Sequence, residues 1–185
     1  MPKEYAPLQV HPFKSGATFV RPTQRLPEKV ALEDAALDVM TDLRHVWVLN
    51  VRAKSSVDKA NAKMIRYGVR MLLALDDADT VVGLITATDI LGDKPIRFLQ
   101  DMGGTHADIM VRDIMTLQRE LEVLKLQDVE KAKVGHILAT LKKAGRQHGI
   151  VVEERSDGTQ AVCGLFSTTQ IARQLPLSVA VTEML

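Results

Sequence analysis

Gly83-Leu84-Ile85-Thr86-Ala87-Thr88-Asp89-Ile90 is answered later in the same chain by Gly164-Leu165-Phe166-Ser167-Thr168-Thr169-Gln170-Ile171, from 83 to 164 an offset of 81. Each stretch reads as a glycine opening an apolar strand, hydroxyl residues at the strand's exit, and the first turn of a helix. Upstream the doubling continues. Val39-Met40-Thr41 recurs as Ile114-Met115-Thr116 at an offset of 75, and each is followed by a strand-like stretch, 46–51 and 121–126. A helix follows in each copy. In the first, Ser56 is placed to cap it, Val57, Ala60, Met64 and Ile65 fall on one face, and Gly68 closes it. In the second, Val134, Ile137, Leu138 and Leu141 form an i, i+3, i+4, i+7 stripe ended by Gly145, 77 residues after Gly68. Apolar strands at 71–75 and 150–152 come next, then polar turns at 76–79 and 153–158. The offset drifts only through small insertions, the last in a turn where added residues cost little. Chance similarity does not keep that order of elements, so the chain is an internal repeat of β-α-β-β-α units.

Outside the repeat the signals are weaker. Pro2, Pro7, Pro12, Pro22 and Pro27 space an irregular arm, and 28–37 has the Ala, Glu and Leu density of a short helix. Residues 92–112 read as a connection with Gly103-Gly104 in its middle. No Lys-Ser/Thr follows the glycines and no strand precedes them, so they mark a turn and not a phosphate loop.

Composition narrows the classes of function. Of the 185 residues 46% are hydrophobic and 25% charged, which predicts a packed core. The 24 basic and 23 acidic residues leave a net charge of +1 without a basic run, against nucleic acid as partner. The single cysteine, Cys163, rules out an intrachain disulfide and lies in an apolar strand, where it reads as a core side chain. No apolar run reaches the roughly 20 residues that span a bilayer, and the start has no secretory pattern. A cytoplasmic protein without a membrane partner is the expectation. His11, His45, His106, His136 and His148 lack metal-ligand spacing and read as surface or helix-face residues. With no hydrolase, zinc-protease or dinucleotide signature in the sequence, no catalytic role is expected. The methionines sit on apolar faces as adaptable core filling.

Met-Thr at the entrance, a helix closed by Gly, and Gly-apolar-apolar-Thr/Ser-x-x-Asp at the exit resemble the cystathionine-β-synthase-type (CBS) domain, over about residues 38–175. Two copies resemble the tandem CBS pair. The resemblance implies an α+β fold whose two repeats pack sheet to sheet with pseudo-twofold symmetry. It divides the chain into an arm and short helix (1–37), a first CBS domain (38–100, its connection running to about 112), a second (113–176) and a tail (177–185). It also implies clefts that bind AMP, ADP, ATP or S-adenosylmethionine as regulatory ligands, with no obligatory cofactor. Homodimerisation and an unidentified regulated protein follow as expected partners.

On this resemblance the ligand-binding candidates are Thr86, Asp89, Arg70, Met71, Ser167, Gln170 and Arg146. The chemistry is suited to the task. One ionised carboxylate accepts from both vicinal hydroxyls of a ribose, and Asp89 lies one turn from the Thr86 hydroxyl. The N–H groups of the helix beginning near Thr88 are expected to face phosphates, together with Arg70, Arg146 and Lys54. Thr86, Thr88 and Asp89 are equally good helix-capping residues, and both roles stay open. In the second copy Gln170 stands where the acid belongs. A neutral amide forfeits about 1 kcal/mol of charge-assisted bonding, so the clefts are expected to be unequal. The proline usual after the closing glycine is replaced by Leu73 and Ile150. Those departures support an alternative: an oligomerisation or protein-interaction module with vestigial clefts.

Overall fold

The computed structural model describes residues 26–176 and 178. The proline-spaced arm up to residue 25, and the tail from 177 apart from Ser178, lie outside the described residues.

Two four-stranded sheets carry the fold. In chain order the strands are β1 (Thr41–Asp42), β2 (Asn50–Arg52), β3 (Met71–Leu75), β4 (Val81–Thr86), β5 (Thr116–Leu117), β6 (Val123–Lys125), β7 (His148–Glu154) and β8 (Gln160–Ser167). The helices are α1 (Val57–Tyr67), α2 (Ala87–Leu91), α3 (Lys94–Met102), α4 (Val111–Ile114), α5 (Leu126–Val129), α6 (Val134–Ala144) and α7 (Thr168–Gln174). Among the described residues no helix is long and apolar enough to cross a membrane.

The repeat predicted from sequence is present element by element. Ser56 caps α1, its Oγ accepting from the Lys59 N–H at 3.4 Å. Gly68 and Gly145 end α1 and α6 in left-handed conformations, with φ of 65° and 63°, where a side chain would be strained. Val57, Ala60 and Met64 are buried under α1 as the periodicity requires, but Ile65 points outward and is 74% exposed. The strand expected over 46–51 forms only at Asn50–Arg52, and that over 121–126 only at Val123–Lys125, because Leu126 already opens α5. Leu73 and Ile150 continue regular pairing. Leu73 donates its N–H to the Leu49 carbonyl at 3.2 Å, a bond the proline it replaces has no donor to make.

The two repeats exchange their entrance strands. One sheet runs β1-β8-β7-β6 and the other β2-β3-β4-β5. β1 therefore pairs with β8 of the second copy, and β5 with β4 of the first. The Met-Thr segments follow the strands across. Val39 and Met40 are buried in the core of the second copy, while Ile114 and Met115 pack in that of the first. Gly83 and Gly164 make this possible, since a Cβ on Gly83 would meet the Thr116 carbonyl and one on Gly164 would meet Met40 Sδ. The sheets face one another through Met71 and Leu84 against Ile150 and Val152. Cys163 is buried, its thiol pKa pushed up by burial first, consistent with a core side chain.

Residues 28–37 depart from expectation. They form a turn and a short 3-10 segment, Ala36–Val39, in place of a helix. The carbonyls of Leu32 and Asp34 accept from the N–H groups of Gly135 and Val134, both at 2.9 Å, and the Ala36 N–H donates to Ala132. Serving the free amides at the start of α6 holds this segment in a turn and a 3-10 segment against its own α-helical propensity. The connection after the first copy is more ordered than expected: α3 occupies most of its first half, and Phe98 and Leu99 pack on the first core.

Candidate functional site

Pseudo-symmetry places two clefts between the repeats. The larger, about 490 Å³, is bounded by Leu84 and Thr86 at the end of β4, Thr88 and Asp89 of α2, Thr116 of β5, Leu121, and the segment Gly145 to His148, with Arg70 reaching in from the first copy. The smaller, about 250 Å³, takes the corresponding positions: Leu165, Ser167, Thr169 and Gln170, then Thr41, the segment Gly68 to Met71, and His148. Drug-sized ligands occupy sites of roughly 300–1,000 Å³; the larger cleft lies within that range and the smaller just below it.

In the larger cleft Asp89 performs the capping role. Its Oδ2 accepts from the Thr86 N–H at 2.8 Å and the Thr86 hydroxyl at 2.7 Å, and the Asp89 N–H donates to Thr86 Oγ1 at 3.2 Å. This reciprocal box starts α2. Its Oδ1 lies 2.7 Å from Lys94 Nζ, and its side chain is 12% exposed. A carboxylate offers about four acceptor positions. Three are therefore taken within the chain and one is left for a ligand. The short α2 offers no phosphate cradle of the kind expected, because the Ala87 N–H already donates to the Arg70 carbonyl and the Asp89 N–H to Thr86.

Of the expected cations, Arg70 and Arg146 line this cleft and Lys54 does not. The Lys54 ammonium pairs with Asp77 in the β3–β4 turn. Arg146 is steadied by donating from Nη2 to the Glu120 carbonyl at 2.9 Å, which leaves other guanidinium donors for a ligand. The Arg70 side chain makes no hydrogen bond or ion pair among the described residues.

The smaller cleft differs where the sequence differs. Gln170 Oε1 accepts from the Thr41 hydroxyl at 3.3 Å, tying α7 to the exchanged strand β1. Ser167 precedes α7 without a side-chain capping bond, so no counterpart of the Thr86–Asp89 box exists. Trp47, 94% exposed, stands at the mouth, and Arg173 on α7 adds a second cation beside Arg70.

All seven residues expected at a ligand site fall on these clefts. Thr86, Asp89 and Arg146 line the larger, Met71, Ser167 and Gln170 the smaller, and Arg70 both. His148, which reads from sequence as a surface or helix-face residue, opens β7 and also lines both. Burial pushes its pKa below the ordinary histidine value, the Arg70 charge adding to this and Asp89 opposing it. The repeat carried the signal for it, because at the offset of 77 His148 is the counterpart of Met71. Thr41, Thr116 and Trp47 were missed for another reason: strand exchange places the first two in clefts they do not adjoin in sequence.

Comparison with known proteins agrees with this architecture. Residues 38–93 match the CBS domain family. No curated protein matches the chain. An uncharacterized conserved protein from Pyrococcus horikoshii is similar in structure at 24% identity and a TM-score of 0.54, the match covering 77% of this chain and 92% of the other. CBSX2 from Arabidopsis thaliana, solved in complex with AMP, is similar at 21% identity and a TM-score of 0.53, covering 80% and 98%. The CBS domain pair of protein MJ0100, in complex with 5′-methylthioadenosine and S-adenosyl-L-methionine, is similar at 18% identity and a TM-score of 0.52, covering 76% and 94%.

Proposed function

Because this chain carries a CBS domain and folds as a tandem CBS pair, we propose that it is a regulatory module binding an adenine nucleotide, AMP, ADP or ATP, in the cleft of Thr86 and Asp89. The observation that carries the reading is the placement of one carboxylate, Asp89, in a cleft that also holds Arg70 and Arg146. A carboxylate suits ribose hydroxyls and paired guanidinium groups suit phosphate, so the cleft presents both halves of a nucleotide's polar surface. That CBSX2 was solved with AMP, and the MJ0100 pair with two adenosine-containing molecules, supports this ligand class. The module has no catalytic role in this reading. It passes occupancy to a regulated protein, or to a second copy of itself, by favouring one of two packings that differ in ligand affinity. Isothermal titration of the folded protein with AMP, ADP, ATP and S-adenosylmethionine tests it, and no heat with any of the four overturns it.

One set of observations favours a second reading, an interaction module with vestigial clefts. Asp89 is largely satisfied within the chain. Ile65 and Tyr67 of α1, and Leu91, Ile96 and Met102 of α2 and α3, are exposed apolar side chains of the kind a partner covers.

A further inference from the structure

The two clefts share part of their lining. Among the described residues, Arg70 and His148 are the side chains that border both. The pseudo-twofold mate of Arg70 is Gln147, 77 residues on, and the carbonyl of each accepts from the first N–H of the neighbouring helix: Arg70 O from Ala87 at 2.9 Å and Gln147 O from Thr168 at 3.0 Å. The backbones are thus equivalent and the side chains are not. Where a symmetric pair would hold one cation per cleft, the described residues place one guanidinium for both. Each cleft then adds a cation of its own, Arg146 in the larger and Arg173 in the smaller.

We propose that Arg70 is a single phosphate-binding group shared by the two clefts, so that an anionic ligand in one weakens anion binding in the other. The inference rests on the adenine-nucleotide reading above and adds how its sites are regulated. A phosphate monoester carries about −1.5 to −2 charges at neutral pH, and one guanidinium carries a single positive charge. The first phosphate to bind therefore takes the shared cation and leaves its own negative charge facing the second cleft. Coupling of this origin follows the phosphate. A ligand with the same base and sugar but no phosphate binds both clefts independently.

The chain's single tryptophan makes the test direct, because Trp47 lies at the smaller cleft and reports its occupancy. AMP and adenosine are titrated into the full-length protein by Trp47 fluorescence, with calorimetry in parallel for total binding. The larger cleft is then disabled by Asp89→Ala. In that variant AMP is expected to bind the Trp47 cleft about fivefold more tightly or better, with adenosine affinity there unchanged. Arg70→Gln, which installs the side chain of the symmetry mate, is expected to weaken AMP at both clefts, spare adenosine, and abolish the gain from Asp89→Ala. If loss of the helix cap unfolds Asp89→Ala, Arg146→Gln weakens AMP in the same cleft through a half-buried side chain that caps no helix, and gives the same comparison. AMP affinity at the Trp47 cleft that stays within twofold when the larger cleft is disabled overturns the proposal. So does a gain shared equally by adenosine, or calorimetric AMP binding with no Trp47 response. Absence of calorimetric binding by both ligands is a different result and overturns the nucleotide reading itself.

Discussion

Lys94 Nζ lies 2.7 Å from Asp89 Oδ1 and donates to the Ile114 carbonyl at 3.0 Å, so the carboxylate facing the larger cleft is already bound to the segment that leads into the second repeat. With Thr86 holding Oδ2, a ribose diol seeking two acceptor positions meets one. Lys94→Met frees the second. Adenosine affinity is expected to rise by up to about tenfold, the equivalent of about 1.4 kcal/mol and one hydrogen bond. Titration calorimetry checks this, and unchanged or weaker binding shows that Lys94 does not compete with the diol.

Strand exchange makes the halves interdependent. Residues 113–176 alone lack β1, and residues 38–112 alone lack β5, each leaving a sheet edge and a core unfilled. Neither fragment is expected to show the dispersed amide spectrum of a folded protein by NMR, whereas mixing the two restores it. A half that folds alone would show that the exchanged strands are dispensable.

The two glycines beneath the exchanged segments should differ in tolerance. In Gly83→Ala the new methyl meets the backbone carbonyl of Thr116, which moves only with β5; in Gly164→Ala it meets the flexible thioether of Met40. Overpacking costs about 1–3 kcal/mol. Gly83→Ala is expected near the upper end and Gly164→Ala near the lower, as read by urea denaturation, and the reverse order would place the tighter constraint on Met40.

Asp42 gives the fold an acid limit. Bonds from Arg44, from Nε at 2.9 Å and Nη2 at 2.7 Å and from its N–H at 2.9 Å, hold the Asp42 pKa down to about 2 from 3.8, burial opposing them. A depressed folded pKa stabilises the native state above pH 4, and that contribution is lost as pH falls through about 2. Arg44 is half-exposed, so the contribution is at most about 2 kcal/mol. Asp42→Asn is expected to flatten the stability profile between pH 4 and 2. An unchanged slope would assign it to other carboxylates.

His148 predicts a pH dependence of binding with the opposite sense. Burial lowers its pKa below 6.5, so the folded protein resists protonating it, and because the unfolded chain binds that proton first, stability falls as pH drops from 6.5 through the folded value. A bound phosphate favours the protonated form, so AMP binding takes up a proton at His148. Relative to His148→Gln, wild-type affinity for AMP is expected to rise on acidification below 6.5, with no such difference for adenosine. Calorimetry across that range checks it, and parallel profiles for the two proteins would remove His148 from the site.

The elements legible in the sequence were those specified locally. Periodicity and a closing glycine located α1 and α6, and the doubled 83–90 stretch located both clefts, because capping, turn conformation and amphipathicity act within a few residues. Three features were not legible. The destination of Thr41 and Thr116 depends on a sheet completed by the other repeat. The turn over 32–35 depends on the amides of α6, about a hundred residues away. The competition of Lys94 for Asp89 depends on how α3 turns back after Gly92, which no pattern in the connection encodes.

The central claim is that an adenosine ligand occupies the cleft of Asp89, and that the two clefts are unequal because Gln170 lacks its charge. Titration calorimetry of wild type, Asp89→Ala and Gln170→Ala with AMP tests both parts at once, with folding of each variant verified by circular dichroism. The account predicts that Asp89→Ala weakens the tighter site by tenfold or more, about 1.4 kcal/mol, and that Gln170→Ala changes it by less than about twofold. Equal losses in the two variants, or no binding by folded wild-type protein, would contradict it.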